Sequence, residues 1–140
     1  MREQLITHIT SVLAKAKGFD TYCEYSYWEG KLTDMTPGYP LEDGKHSDYN
    51  TYLAYPRQLA PTQSLLQKWL REVHNIDVSP ICTYRNEGRK YHCGVIFINE
   101  NNQVDTIIMK DIQKDLINKL YDTYEEALEE GLLKGLKLLK

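Results

Sequence analysis

The chain has 140 residues, 41% of them apolar and 26% charged, and carries a net charge of −3. That length suits one domain over 1–140, burying about two thirds of the extended chain's surface, so neither a disulfide framework nor a structural metal is needed to hold it. The composition excludes a disordered chain, and the slight acidity supplies no general attraction to nucleic-acid phosphates or anionic lipid.

The first residues, Met1 to His8, lack the apolar region and cleavage pattern of a signal peptide, and no stretch approaches the roughly 18 apolar residues of a membrane span. A soluble, cytoplasmic protein without membrane association is expected. Three cysteines at irregular spacing predict free thiols. The unusual feature is aromatic: eleven Tyr stand against two Phe, and seven of the Tyr fall within 22–55. Tyrosine joins a large contact area to a polar tip, which suits interfaces and half-buried strands.

In chain order, Leu5, Ile6, Ile9, Val12, Leu13 and Ala16 recur at helical spacing, which predicts a helix over 3–17 with these residues inward. Gly18 ends it as a left-handed cap, with Lys15 and Lys17 near the negative end of its dipole. Residues 21–28 are aromatic-rich and read as a strand that turns at Glu29-Gly30 into a second strand over 31–35. Pro37, Gly38, Pro40, Asp43 and Gly44 make 36–48 a loop, and a short strand follows over 49–55.

The next helix either takes Pro61 into its first turn or is capped by Thr62 just after it; Leu65, Leu66, Trp69, Leu70 and Val73 face inward while Gln63, Gln67, Lys68, Arg71 and Glu72 face largely outward. Asn75 ends that helix. Strands are predicted over 76–85, 90–98 and 103–109. A turn centred on Glu87-Gly88 would set Tyr84 opposite Tyr91 and Cys82 opposite Cys93, with Thr83 facing His92 on the other side. A short helix over 112–120 precedes a final one capped at Asp122 or Thr123. In that last helix Tyr124, Ala127, Leu128, Leu132, Leu136 and Leu139 face inward, and Ala127, Gly131 and Gly135 leave a smooth strip for close packing. The fold class is therefore α+β, an antiparallel sheet with helices on one face and the C-terminal half in α-β-β-β-α order.

Few constellations carry chemistry. Cys82 and Cys93, with His92 beside one of them, lack the further ligands of a metal site, and His92 points to the opposite face from Cys93. Both thiols, like Cys23, read as buried and inert. Asp43, His46 and Asp48 are polar residues of a solvated loop. Glu125, Glu126, Glu129 and Glu130 read as the solvated face of the last helix. No GxSxG, HExxH, GxxxxGK[ST] or GxGxxG pattern occurs, and no cofactor is implied.

The order of elements after Pro61 resembles in outline a double-stranded-RNA-binding domain, which presents Lys and Arg at the start of its last helix. Here that turn holds Glu125, Glu126, Glu129 and Glu130, which repel phosphate, so nucleic acid is not an expected partner.

Lys17-Gly18-Phe19-Asp20 followed by Cys23, then APTQSLLQKWLREVHNI over 60–76 and YDTYEEALEEGLLKGLKLL over 121–139, resemble small proteins of gut Bacteroidetes and their phages. The resemblance covers most of the chain and implies a phage or prophage context in a bacterial cytoplasm; it brings no activity. The primary expectation is a non-enzymatic accessory protein that binds a host or viral protein, or forms a homo-oligomer. The tyrosine-rich surface that would do so comprises Tyr22, Tyr25, Tyr27, Trp28, Tyr49, Tyr52, Tyr55 and Arg57. One alternative is a nucleotide or small-molecule binder, a sponge for a host defence signal, using tyrosine stacking with Arg57, Arg85, Arg89 and Lys90. Another is a small hydrolase or nuclease using His46, Asp48 or His92.

Overall fold

Residues 3–21, 23–34, 57–104 and 119–139 are described by the computed structural model. Among them, three helices and five strands make an α+β fold. The expected 36–48 loop, the 49–55 strand and nearly all of the 103–109 and 112–120 segments lie outside the described residues.

The first helix, α1 (His8–Ala16), begins later than its apolar spacing predicts. Thr7 is its N-cap, and the residues before it run extended, held by Ile6 N–H to the Pro61 carbonyl (3.0 Å) and by Gln63 N–H to the Gln4 carbonyl (2.8 Å). Its inward face is not the predicted one. Thr10, Ser11 and Ala14 are buried, whereas Ile9 is 71% and Val12 44% exposed. Small side chains let α1 approach its neighbours closely, and both hydroxyls are satisfied: Thr10 donates to Glu129 Oε1 (2.6 Å) and Ser11 to the His8 carbonyl (2.6 Å). Burying a hydroxyl carries little penalty once it is bonded. The C-terminus is as predicted. Gly18 at φ +92° lets Phe19 N–H reach the Ala14 carbonyl (2.9 Å), the bond pattern of a Schellman cap.

Strands β1 (Tyr25–Trp28) and β2 (Lys31–Asp34) form the predicted hairpin. Glu29 (φ 49°) and Gly30 (φ 78°) supply the two positive φ values that a tight turn of matching twist requires. A third strand, β3 (Arg57–Leu59), pairs antiparallel with the other side of β1, giving the order β2-β1-β3. Three residues ending at Ala60-Pro61 are too short to show a strand's periodicity, so β3 left no signal in the sequence.

Helix α2 (Gln63–His74) has the expected caps: Thr62 accepts from Leu65 N–H (3.2 Å), and Asn75 takes the left-handed conformation at φ 57°. Leu66, Trp69 and Leu70 are buried as predicted, but Val73 is 58% exposed and Gln63, expected outside, is buried.

Strands β4 (Ile76–Arg85) and β5 (Gly88–Phe97) pair antiparallel in a second sheet, two-stranded among the described residues. The turn is centred on Asn86-Glu87, one residue earlier than predicted, and Gly88 (φ 109°) rejoins the ladder opposite Arg85. Cys82 therefore faces Tyr91, Tyr84 faces Arg89, Thr83 faces Lys90 and Pro80 faces Cys93. The slip amounts to two residues, so each side chain keeps its face while every cross-strand partner changes. Beyond β5, Val104 bridges Ile98.

Helix α3 (Tyr124–Lys137) starts at Thr123, whose hydroxyl accepts from Glu126 N–H (3.2 Å), and lays Ala127, Leu128, Gly131, Leu132, Gly135 and Leu136 against β4 and β5. Tyr124, predicted inward, is 44% exposed, because it lies in the first turn and its ring meets Tyr91 edge-on at 6.3 Å. One hydrophobic core joins these layers, running from Ile6, Phe19 and Leu59 through Leu66 and Leu70 to Val78, Val95 and Leu132.

Candidate binding groove

The β1–β2 turn sets a register in which Tyr27 pairs with Leu32 and Tyr25 with Asp34. Alternate residues share a face, so Tyr25, Tyr27 and Leu32 lie on one side of the small sheet. Trp28 pairs with Arg57 on the other side. The extended residues before α1 meet this structure at two points: the Tyr27 hydroxyl donates to the Ile6 carbonyl (2.7 Å), and Leu5 bridges Thr62 at the start of α2.

Between these elements lies an open groove of about 480 Å³. Leu5, Tyr25, Leu32 and Leu65 supply its apolar lining, with Ala60 and Pro61 behind them. Leu32 is 50% exposed, and Leu5, Tyr25 and Leu65 are half-buried. The charged groups of the lining are two carboxylates, Glu3 and Glu24, both exposed and without an ion-pair partner among the described residues. Cys23 also touches the groove, but its thiol donates to the Thr21 carbonyl (3.2 Å), and burial pushes its pKa up to about 12, which leaves it protonated and unreactive.

Glu129 of α3 holds the groove's N-terminal wall in place. One carboxylate oxygen accepts from Thr7 N–H (2.8 Å) and the Thr10 hydroxyl (2.6 Å), and the other from the Gln63 amide (3.0 Å). The same amide also donates to the Glu125 carbonyl (3.0 Å). This corrects the expectation that Glu129 belongs to a solvated face. It joins the starts of α1 and α2 to α3, and its negative charge sits at the positive end of the α1 dipole.

Of the predicted binding residues, Tyr22, Tyr49, Tyr52 and Tyr55 lie outside the described residues. Tyr25 lines the groove. Tyr27 is a strut, with its hydroxyl on Ile6, its ring 5.2 Å from His8, and its pKa raised by burial and then by the Glu129 charge. Trp28 carries the Arg57 guanidinium 4.3 Å above its ring. The sequence reading missed Leu5, Leu32 and Leu65 as groove residues. Leu32 did carry a weak signal, being an apolar side chain between Lys31 and Thr33 on a short strand.

His46 and Asp48 lie outside the described residues, and the basic residues counted on for nucleotide binding are not brought together. Arg57 belongs to the three-stranded sheet, whereas Arg85, Arg89 and Lys90 lie at the tip of the β4–β5 hairpin. There Lys90 pairs with Asp122, and Arg89 donates to the Tyr84 hydroxyl (3.3 Å). His92 faces Ile81 across the hairpin. All three cysteines are free; Cys23 and Cys93 are buried as predicted, and Cys82 is exposed because it lies in the half of β4 that extends beyond the buried core positions. Among the described residues, no group of His, Cys, Asp or Glu is arranged to hold a metal ion, and no helix is long and apolar enough to cross a membrane. No family model, curated protein or solved structure matches the chain.

Proposed function

We propose that the protein is a non-enzymatic binding protein that seats part of a protein partner in the groove between Leu5, Tyr25, Leu32 and Leu65. The observation that carries this reading is the exposure of Leu32 beside Tyr25. An apolar side chain half open to water, at the mouth of an apolar groove of about 480 Å³, loses hydration favourably when a partner covers it. Among the described residues, the groove's lining includes no histidine, and its one thiol, Cys23, is held protonated, which supports binding over catalysis. The phage or prophage setting and the bacterial cytoplasm come from the sequence resemblance alone and form part of the proposal.

A photo-crosslinking residue in place of Leu32 tests this reading in cells, with the same residue in place of Ile81 as control. Ile81 is 46% exposed on the other sheet. The same protein captured from position 32 and not from position 81 supports the groove as the contact; equal capture from both positions, or none from position 32, counts against it.

A further inference from the structure

We infer that the occupant of this groove is a short peptide segment that presents an apolar side chain next to an arginine or lysine. The inference rests on the proposed binding role and adds the chemistry of the partner. Leu5, Leu32 and Leu65 offer the apolar side chain a surface that water leaves favourably. At the rim, Glu3 and Glu24 come from two different parts of the chain, the extended N-terminal segment and the residue before β1, yet both border one groove. Neither has an ion-pair partner, and no cationic side chain lines the groove among the described residues.

An acidic occupant would meet two like charges. An uncharged one would gain nothing from the two carboxylates. A cation satisfies both, and an arginine can also lie against the Tyr25 ring. The groove is open along one side, so it covers one flank of its occupant. Small ligands are mostly enclosed by their sites, whereas a chain that enters and leaves is accommodated by an open groove.

Selection of displayed random peptides on the immobilised full chain, with counter-selection on Leu32→Arg, tests this. Leu32 is half exposed, so the variant should fold, and its thermal midpoint verifies that. Groove-dependent peptides should pair Leu, Ile, Phe or Met with a nearby Arg or Lys, and replacing that cation by alanine should weaken binding about fivefold to tenfold, as two rim ion pairs would supply. Glu3→Lys with Glu24→Lys should turn the preference toward Asp and Glu. Groove-dependent peptides without a cation, or an unchanged preference in the charge-reversed variant, overturn the inference and leave partner binding standing. Finding no groove-dependent peptide overturns both.

Discussion

Gly131 of α3 passes so close to Cys93 of β5 that a Cβ on the glycine would stand 2.1 Å from the Cys93 sulfur and 2.8 Å from Val78 Cγ1. No side chain fits there without moving the helix off the sheet. Gly131→Ala should therefore destabilise the fold by about 3 kcal/mol, the upper end of the usual cost of overpacking, which lowers the thermal midpoint by roughly 10 °C. Gly135 is different. A Cβ there would meet Leu70 Cδ1 and Val78 Cγ2 at 3.3 Å and Ile76 Cγ2 at 3.4 Å, contacts that a shift of a few tenths of an ångström relieves. Gly135→Ala also gains helix propensity of up to ~1 kcal/mol, so its net effect should stay within about 1 kcal/mol of zero. Equal losses for the two variants would contradict this packing.

Glu129 should matter far more than an acid on a solvated helix face. Glu129→Ala removes the acceptor shared by the Thr7 N–H, the buried Thr10 hydroxyl and the Gln63 amide, which keeps only its bond to the Glu125 carbonyl, at a cost of about 3 kcal/mol. In a double-mutant cycle with Thr10→Val, urea unfolding should give a coupling of about 1–2 kcal/mol. A coupling near zero would mean that the short contact contributes nothing to stability.

Much of the scaffold was legible because local chemistry decides it. Gly18 and Asn75 end their helices where the sequence placed them, and Thr62 and Thr123, whose hydroxyls fit a helix start, are each one of the two start positions that the sequence offered. The face of α1 was not legible. Its apolar spacing points to Ile9 and Val12, and only the tertiary partners of Thr10 and Ser11 reverse that choice. The hairpin register failed for a related reason: Gly88 has a positive φ in either turn, so the residue type alone does not say whether it lies within the turn or just after it. The groove was legible only in part. Tyr25 was flagged by aromatic density, but Leu5, Leu32 and Leu65 come from three separated segments that meet only in the fold.

The three thiols should react very unequally. Cys82 is exposed, while burial pushes Cys23 and Cys93 up to about 12, so both stay protonated as well as covered. Titration of the native protein with a thiol reagent near pH 8 should show one fast group, removed by Cys82→Ser, and two that appear only on unfolding. A second fast thiol in the native protein would contradict the burial of Cys23 or Cys93.

His74 gives the stability a pH dependence of defined sign. Its ring packs edge-on to Trp69 at 4.5 Å, its Nε2 is buried without a hydrogen-bond partner, and desolvation holds its pKa below the ordinary value. Below about pH 6.5 the unfolded chain therefore binds more protons at this position than the folded one, and stability falls as pH drops through that range until the folded state is protonated too. His74→Phe keeps an aromatic edge on Trp69 and removes the proton. Between about pH 7.5 and 5.5 the wild type should lose more stability in urea than His74→Phe; parallel losses would exclude His74 as the source.

The claim that this chain works by binding at the groove is tested most directly by Leu32→Arg, with stability and partner capture measured on the same preparation. Leu32 is half exposed, so the thermal midpoint should move by no more than about 2 °C. Partner captured by the wild-type protein should be lost, because a cation would then occupy the apolar mouth beside Glu3 and Glu24. A folded Leu32→Arg protein that captures the same partner as well as wild type would contradict the account.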